Sequence, residues 1–244
     1  MTVPLLRIEG VVKRFGGFAA LSEVSLGVAA GERLGLIGPN GSGKTTLMSC
    51  ITGTLRNDSG SIRLRDQEIC RLPAHRRSYL GIARTFQIPR PFRSMTLLEN
   101  LVVPLQYVAQ RSGKRMAEAE ARAHALLGRV GLASKAQTVS GLLTQVELRK
   151  MELARAMAAE PKLLISDEAM AGLSGSEVDE IIDLLLALNE GGVTIIMIEH
   201  IMQAVMRFSQ RVACLAAGQI ICQGTPYEVM QDPYVQRAYL GSTS

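Results

Sequence analysis

Short, unbroken apolar runs recur along the chain: RLGLI at 33–37, KLLIS at 162–166 and VTIIMI at 193–198. Each is too short for a buried helix and is bounded by polar or turn residues, which suits parallel strands covered on both faces. Further strands are expected at 5–12, 23–29, 61–65, 81–87, 211–216 and 219–223. Apolar residues at helical spacing predict helices over 44–53, 95–103, 114–130, 145–159, 176–190, 200–207, 226–231 and 233–239. One helix start has a specific signal. In LLTQVELRKMELARA (142–156), Thr144 can cap and Glu147 stands three positions later, the pattern of a capping box. The first third is rich in strands and turn pairs (Gly16-Gly17, Asn57-Asp58, Asp66-Gln67), whereas about 88–160 is almost all helix. These alternations predict one α/β core spanning 1–244, with a β-rich edge at its start and a helical insertion in its middle.

Candidate chemistry sits where the apolar strands end. GPNGSGKT (38–45) matches G-x-x-x-x-G-K-[ST], with a strand before it and KTTLMSCITG, a helix, after it. Backbone N–H groups of Gly38, Pro39-Asn40, Gly41, Ser42 and Gly43 can close around phosphates, Pro39 lacking one, and the helix N-terminus at Thr45-Thr46 adds its dipole. Lys44 is expected to reach the β- and γ-phosphates of a nucleotide such as ATP, and the Thr45 hydroxyl to ligate Mg²⁺. A Gly-rich turn that merely opens a helix is the competing reading, and the flanking elements disfavour it. KLLISDE (162–168) ends a buried strand in two carboxylates, which alone reads as a solvated turn. Beside a phosphate loop, Asp167 becomes a candidate Mg²⁺ ligand and Glu168 a candidate general base.

Three more polar or aromatic residues join this set. His200 follows the strand 193–198 and is placed to touch the γ-phosphate, although a lone His after a strand is usually structural. Gln87 ends ARTFQ (83–87), where a neutral side chain can approach Mg²⁺ and the attacking water. Phe15, just before Gly16-Gly17, can stack on adenine, with Phe18 as a competitor and core packing as the alternative.

Composition narrows the setting. Apolar residues make up 47 % of 244, with no Trp, as in an ordinary globular chain with an aliphatic core. Cys50, Cys70, Cys214 and Cys222 form no C-x-x-C pair and are expected to be reduced thiols in the core. No apolar run reaches the roughly 18 residues of a membrane span, and Arg7 and Glu9 interrupt any leader pattern, so a soluble, cytoplasmic chain is expected. The formal charge of +5 is mild and without a dense basic stripe, which argues against nucleic acid as a partner.

Phe15, the phosphate loop, Gln87, Asp167-Glu168 and His200 occur in an order that resembles the ATPase subunits of ABC transporters, over nearly the whole chain. The resemblance implies a P-loop NTPase core with an N-terminal antiparallel β subdomain and an inserted helical subdomain. It also implies ATP hydrolysis at two sites, each between the phosphate loop of one subunit and the signature, typically L-S-G-G-Q, of another. Counting back about 23 residues from Asp167 reaches Thr144, so LTQVE (143–147) is the expected signature; Ser140-Gly141 lies four residues too early. Here Gln145 and Val146 stand for both glycines and Glu147 for the glutamine, so this end is expected to grip phosphate weakly. Ala169 for the usual Pro and Ser174 for the usual Asp are further departures.

Within the family, GIARTFQIPRPFRSMTLLENL (81–101), IEH (198–200) and QGTPYEVMQDPYVQRAYLG (223–241) look like the ATPases of branched-chain amino acid importers. Urea-type and lipid-exporting ATPases share parts of this wording. The implied partners are a second ABC ATPase subunit, equal or different, two transmembrane permease subunits and, indirectly, a solute-binding protein, with this chain peripheral on the cytoplasmic face of the cell membrane. The segment after Gln87, with Arg90, Phe92 and Arg93, would form the groove for a permease helix, or be a solvated face. A soluble ABC-type ATPase or a regulatory subunit with little turnover are the competing functions. The former usually carries long insertions or tandem cassettes, absent here, and Glu168 and His200 argue against the latter.

Overall fold

The computed structural model describes residues 4–112 and 117–240 and places two sheets about the phosphate loop. The first is antiparallel, in the order β2-β1-β4-β5, from β1 (Leu6–Phe15), β2 (Phe18–Val28), β4 (Ser59–Leu64) and β5 (Gln67–Glu68). Along β1, Leu6 and Ile8 are buried while Arg7 and Glu9 face out, the alternation of a half-buried strand. The second sheet runs β10-β9-β3-β8-β7-β6 and comprises β3 (Arg33–Ile37), β6 (Ile82–Arg84), β7 (Leu163–Asp167), β8 (Thr194–Ile198), β9 (Arg211–Ala216) and β10 (Gln219–Gly224). It is parallel except for β10, which returns antiparallel to β9.

The apolar runs of the second sheet are buried on both faces, as their lack of alternation requires. Leu34, Leu163, Ile165, Ile196 and Ile198 pack into a core shared with the antiparallel sheet and α1 (Lys44–Thr52). Leu164, Ile195 and Met197 point the other way, into a core with α6 (Gly175–Glu190) and α7 (Met202–Phe208). A third core joins α3 (Leu97–Ser112), α4 (Ala117–Arg129) and α5 (Gln145–Ala158) through Leu97, Leu101, Leu105, Ala123, Leu127, Met151 and Ala154. α8 (Pro226–Gln231) and α9 (Pro233–Leu240) close the chain against β9 and β10. No described helix is long and apolar enough to cross a membrane.

Several sequence expectations shift. β2 begins at Phe18 rather than at 23, pairing back on Phe15 across the Gly16-Gly17 turn. Strand 81–87 contracts to Ile82–Arg84, so Gln87 stands in a loop beyond the sheet; its carbonyl and that of Phe86 accept from Arg149 instead of a neighbouring strand. The helix expected at 95–103 is α3 and runs on to Ser112; positions 114–116 of the one expected at 114–130 lie outside the described residues. Among the described residues, one α-helix was not expected, α2 (Ala74–Tyr79). Its sequence AHRRSY is polar because its buried member is Arg77, which donates to the carbonyls of Cys50, Ile51, Cys70 and Leu72 and so caps the end of α1. Of the cysteines, only Cys50 and Cys214 are fully in the core; Cys70 and Cys222 are partly exposed, and all four are free thiols.

Candidate active site

β3 ends at Ile37, and the chain turns through Gly38–Gly43 into α1. Two glycines make that turn possible. A Cβ on Gly38 would lie 2.0 Å from the Leu215 carbonyl oxygen, and Gly43, at φ 106°, would put one 2.6 Å from the Ala20 carbonyl oxygen. The loop thus packs against neighbouring backbone at distances that exclude any side chain. It lines a cavity of about 320 Å³ together with Phe15, Phe18, Ala20, Thr45, Thr46 and Glu168. Both Phe15 and Phe18 are exposed at its edge, and the Lys13 ammonium lies 5.6 Å from the Phe15 ring centre. The Ser42 hydroxyl is buried with no hydrogen-bond partner, an orphan that a phosphate oxygen would satisfy. Lys44 is 6 % exposed and donates to the carbonyls of Gly38 (2.7 Å) and Pro39 (3.0 Å). Burial pushes its pKa down, and Glu168, Cys214 and Asp167 push it back up.

The ends of β6, β7 and β8 bring the polar candidates together. Glu168 follows β7 in a left-handed conformation, φ 45°, held by its N–H donating to the Ile198 carbonyl at 2.9 Å. A non-glycine residue in that region carries strain of order 1–3 kcal/mol, and such strain collects at functional sites. One oxygen of the Glu168 carboxylate accepts from the Gln87 amide, and the other meets Nε2 of His200 at 3.0 Å. Residues 81 and 32 positions away in sequence therefore grip a single carboxylate. Asp167 behaves differently. It is buried, does not line the cavity, and one of its oxygens is paired with the Arg84 guanidinium at 2.5 Å. Thr45 faces the cavity, and no group of three or more His, Cys, Asp or Glu among the described residues makes a metal cage. That donor set suits Mg²⁺, which binds through one or two carboxylates and substrate phosphates while keeping waters.

Two site neighbours were not singled out from sequence. The Tyr239 hydroxyl on α9 accepts from the Gly38 N–H at 2.7 Å, tying the last described helix to the phosphate loop; burial pushes its pKa up to about 12. Glu199, 2 % exposed, accepts from the Met170 N–H at 3.0 Å and so joins the residue before His200 to the turn after Glu168. Burial, with Glu168 adding to it, pushes its pKa up to about 7.

Residues 21–171 match the family model described as ABC transporter. The chain belongs to the ABC transporter family. It is an ATP-binding cassette, an ATPase. A second model, described as branched-chain amino acid ATP-binding cassette transporter, matches 219–243. Two curated relatives are the high-affinity branched-chain amino acid transport ATP-binding proteins LivG of Escherichia coli, 39 % identical, and BraF of Pseudomonas aeruginosa, 37 % identical, each alignment covering 99 % of both chains. A crystal structure of an ABC transporter's ATP-binding cassette in its ADP conformation superposes with a TM-score of 0.88 at 31 % identity, over 99 % of this chain and 100 % of that one.

The expected signature, LTQVE, opens α5, and Thr144 does not line the cavity beside the phosphate loop. The expected capping box is present: Thr144 Oγ1 accepts from Glu147 N, and Glu147 accepts from Thr144 N at 3.0 Å. The residues expected to stand for the family's glycines and glutamine are turned onto their own chain. Gln145 donates to the Ala171 carbonyl at 3.1 Å, Val146 packs on the second core, and Glu147 is paired with Lys135, whose hydrogen bond holds its carboxyl below the usual range. Beyond Gln87, a cavity of about 340 Å³ is lined by Phe86, Arg90, Pro104, Glu152 and Arg155, and Phe92 lines an adjoining one; Arg93 is exposed and lines neither.

Proposed function

We propose that this ATPase powers import of branched-chain or related amino acids, working as one cassette over 1–244 whose segment 88–160 is a helical subdomain. Glu168 carries the reading: its carboxylate is anchored at both oxygens, by Gln87 and His200, at the rim of the cavity that the phosphate loop lines. In this mechanism the amides of Asn40, Gly41, Ser42 and Gly43 and the Lys44 ammonium hold the phosphates, with Gly38 and Pro39 shaping the loop and Phe15 against the base. Thr45, Asp167 and Gln87 would hold Mg²⁺, which supplies charge neutralisation at the transferring phosphate. Glu168 accepts a proton from the attacking water, and His200 fixes the carboxylate and faces the terminal phosphate.

The second site half comes from another cassette, whose phosphate meets Thr144 and the first amides of α5. The groove lined by Phe86 and Arg90, continued by Phe92, receives a permease helix, which puts the chain on the cytoplasmic face of the membrane. A solute-binding protein delivers the amino acid to the permeases. The 99 % coverage of LivG and BraF supports the amino-acid reading.

The test is reconstitution with permease subunits, a second cassette and a solute-binding protein of a branched-chain amino acid importer. ATP inside proteoliposomes should drive leucine uptake, lost on Lys44→Ala. Uptake of urea but not of leucine would replace the substrate class.

A further inference from the structure

Four polar side chains stand at three- and four-residue intervals on α5, along one helix face. Arg149, Glu152 and Arg155 turn inward onto loops, and Gln145, though exposed, reaches a loop as well. Arg149 is the most connected. It is 5 % exposed, and its Nη1 donates to the carbonyls of Gln87 at 2.5 Å and Phe86 at 3.3 Å, while Nη2 donates to the Ala171 carbonyl at 3.3 Å. Gln145, one turn earlier, donates to that same carbonyl at 3.1 Å. The neighbouring Gly172, at φ 79°, leaves room for it, since a Cβ there would stand 2.6 Å from the Gln145 amide nitrogen.

These contacts converge on Glu168. Gln87 holds one oxygen of its carboxylate, and Ala171 lies three residues after it in a tight turn, the Ala171 N–H donating to the Glu168 carbonyl at 3.3 Å. The geometry points to Arg149, assisted by Gln145, as a positioning residue for hydrolysis: one buried guanidinium ties the Gln87 segment to the turn after Glu168, so α5 sets one of the two groups that hold the carboxylate and the turn that follows it. This rests on Glu168 being the base. A guanidinium suits the task because its fixed fork reaches two chain segments at once, which a single ammonium does not. It also gives Gln145 a role where the family's usual glycine has no side chain.

The experiment compares Gln145→Leu and Arg149→Lys with wild type in steady-state ATP hydrolysis and in amide hydrogen exchange of the full chain. Losing a donor to Ala171 should lower kcat about fivefold for Gln145→Leu, and losing the fork should lower it about tenfold for Arg149→Lys, with KM for ATP unchanged. Exchange should rise at 169–173 and nowhere in α1. Gln145 is exposed, so its variant keeps the test decisive if Arg149→Lys unfolds. A kcat within twofold of wild type for Gln145→Leu, or a fall matched by a rise in KM or by faster exchange throughout, overturns the assignment. Glu168→Gln run in parallel separates the two readings. If it turns over normally the base is misassigned; if it is dead while Gln145→Leu is normal, only the positioning role fails.

Discussion

The loop before α1 and the start of α5 are both helix N-termini expected to meet phosphate, yet they are built in opposite ways. The phosphate loop works through absence of side chains: Gly38 and Gly43 lie against the backbone of Leu215 and Ala20, and the buried Ser42 hydroxyl has no partner within the protein. At the start of α5, Gln145, Val146 and Glu147 each have a partner in their own chain: Gln145 on Ala171, Val146 in a core, Glu147 on Lys135 and on the Thr144 N–H. A site that leaves groups unsatisfied is poised for a ligand, whereas one that satisfies them internally is a structural joint. Side chains at such a helix start can thus add internal connections as well as take up room a phosphate would need.

The sharpest way to break the contrast is Gly38→Ala. Its Cβ, 2.0 Å from the Leu215 oxygen, forces the loop off β9, and the Tyr239 bond to the Gly38 N–H goes with it. Nucleotide binding should be abolished in calorimetry. Retained affinity would mean that the loop tolerates a side chain after all.

Glu199→Gln is next and is read through pH. Below the usual carboxylate range, folded and unfolded chains are both protonated at this residue. Between about 4.5 and about 7 the unfolded chain loses the proton that the folded one keeps, so stability falls as pH rises through that window and is flat above it. The penalty in wild type reaches roughly 3 kcal/mol at its largest. Gln still accepts from Met170 and should remove this slope in urea unfolding at pH 5 and 7.5. An unchanged slope would show that Glu199 does not carry it.

Glu147→Gln probes the other region and should do least. Its pair with the half-exposed Lys135 is worth no more than about 1 kcal/mol. Because Lys135 already balances the charge beside the α5 N-terminus, ATP hydrolysis by the assembled transporter should stay within about twofold of wild type. A large rise would show that the carboxylate repels the partner's phosphate and that Lys135 fails to shield it.

Sequence carried the parts of this molecule that follow from local rules. The strands of 33–37, 162–166 and 193–198 appear at β3, β7 and β8 because an apolar run buried on both faces has few alternatives. The capping box at Thr144 and the P-loop turn were equally readable, since both depend on residues within a few positions of one another. What escaped depends on distant partners. α2 is polar in sequence because an arginine serves as its buried anchor, and Tyr239 reaches Gly38 across 201 positions. Arg84 carries no local sign that it pairs with Asp167, and Gln145 none that its side chain turns onto Ala171. The grip of Gln87 and His200 on Glu168 was foreseeable only as a gathering at strand ends, not as bonds to its two oxygens.

In the proposed mechanism this carboxylate, held from both sides, activates the water that attacks ATP. Glu168→Gln in the reconstituted transporter tests it most directly, because the amide keeps the size of the group and removes the base. Single-turnover hydrolysis should fall about 10²–10⁴-fold while ATP affinity stays at the wild-type value. Turnover near the wild-type rate would rule out Glu168 as that base.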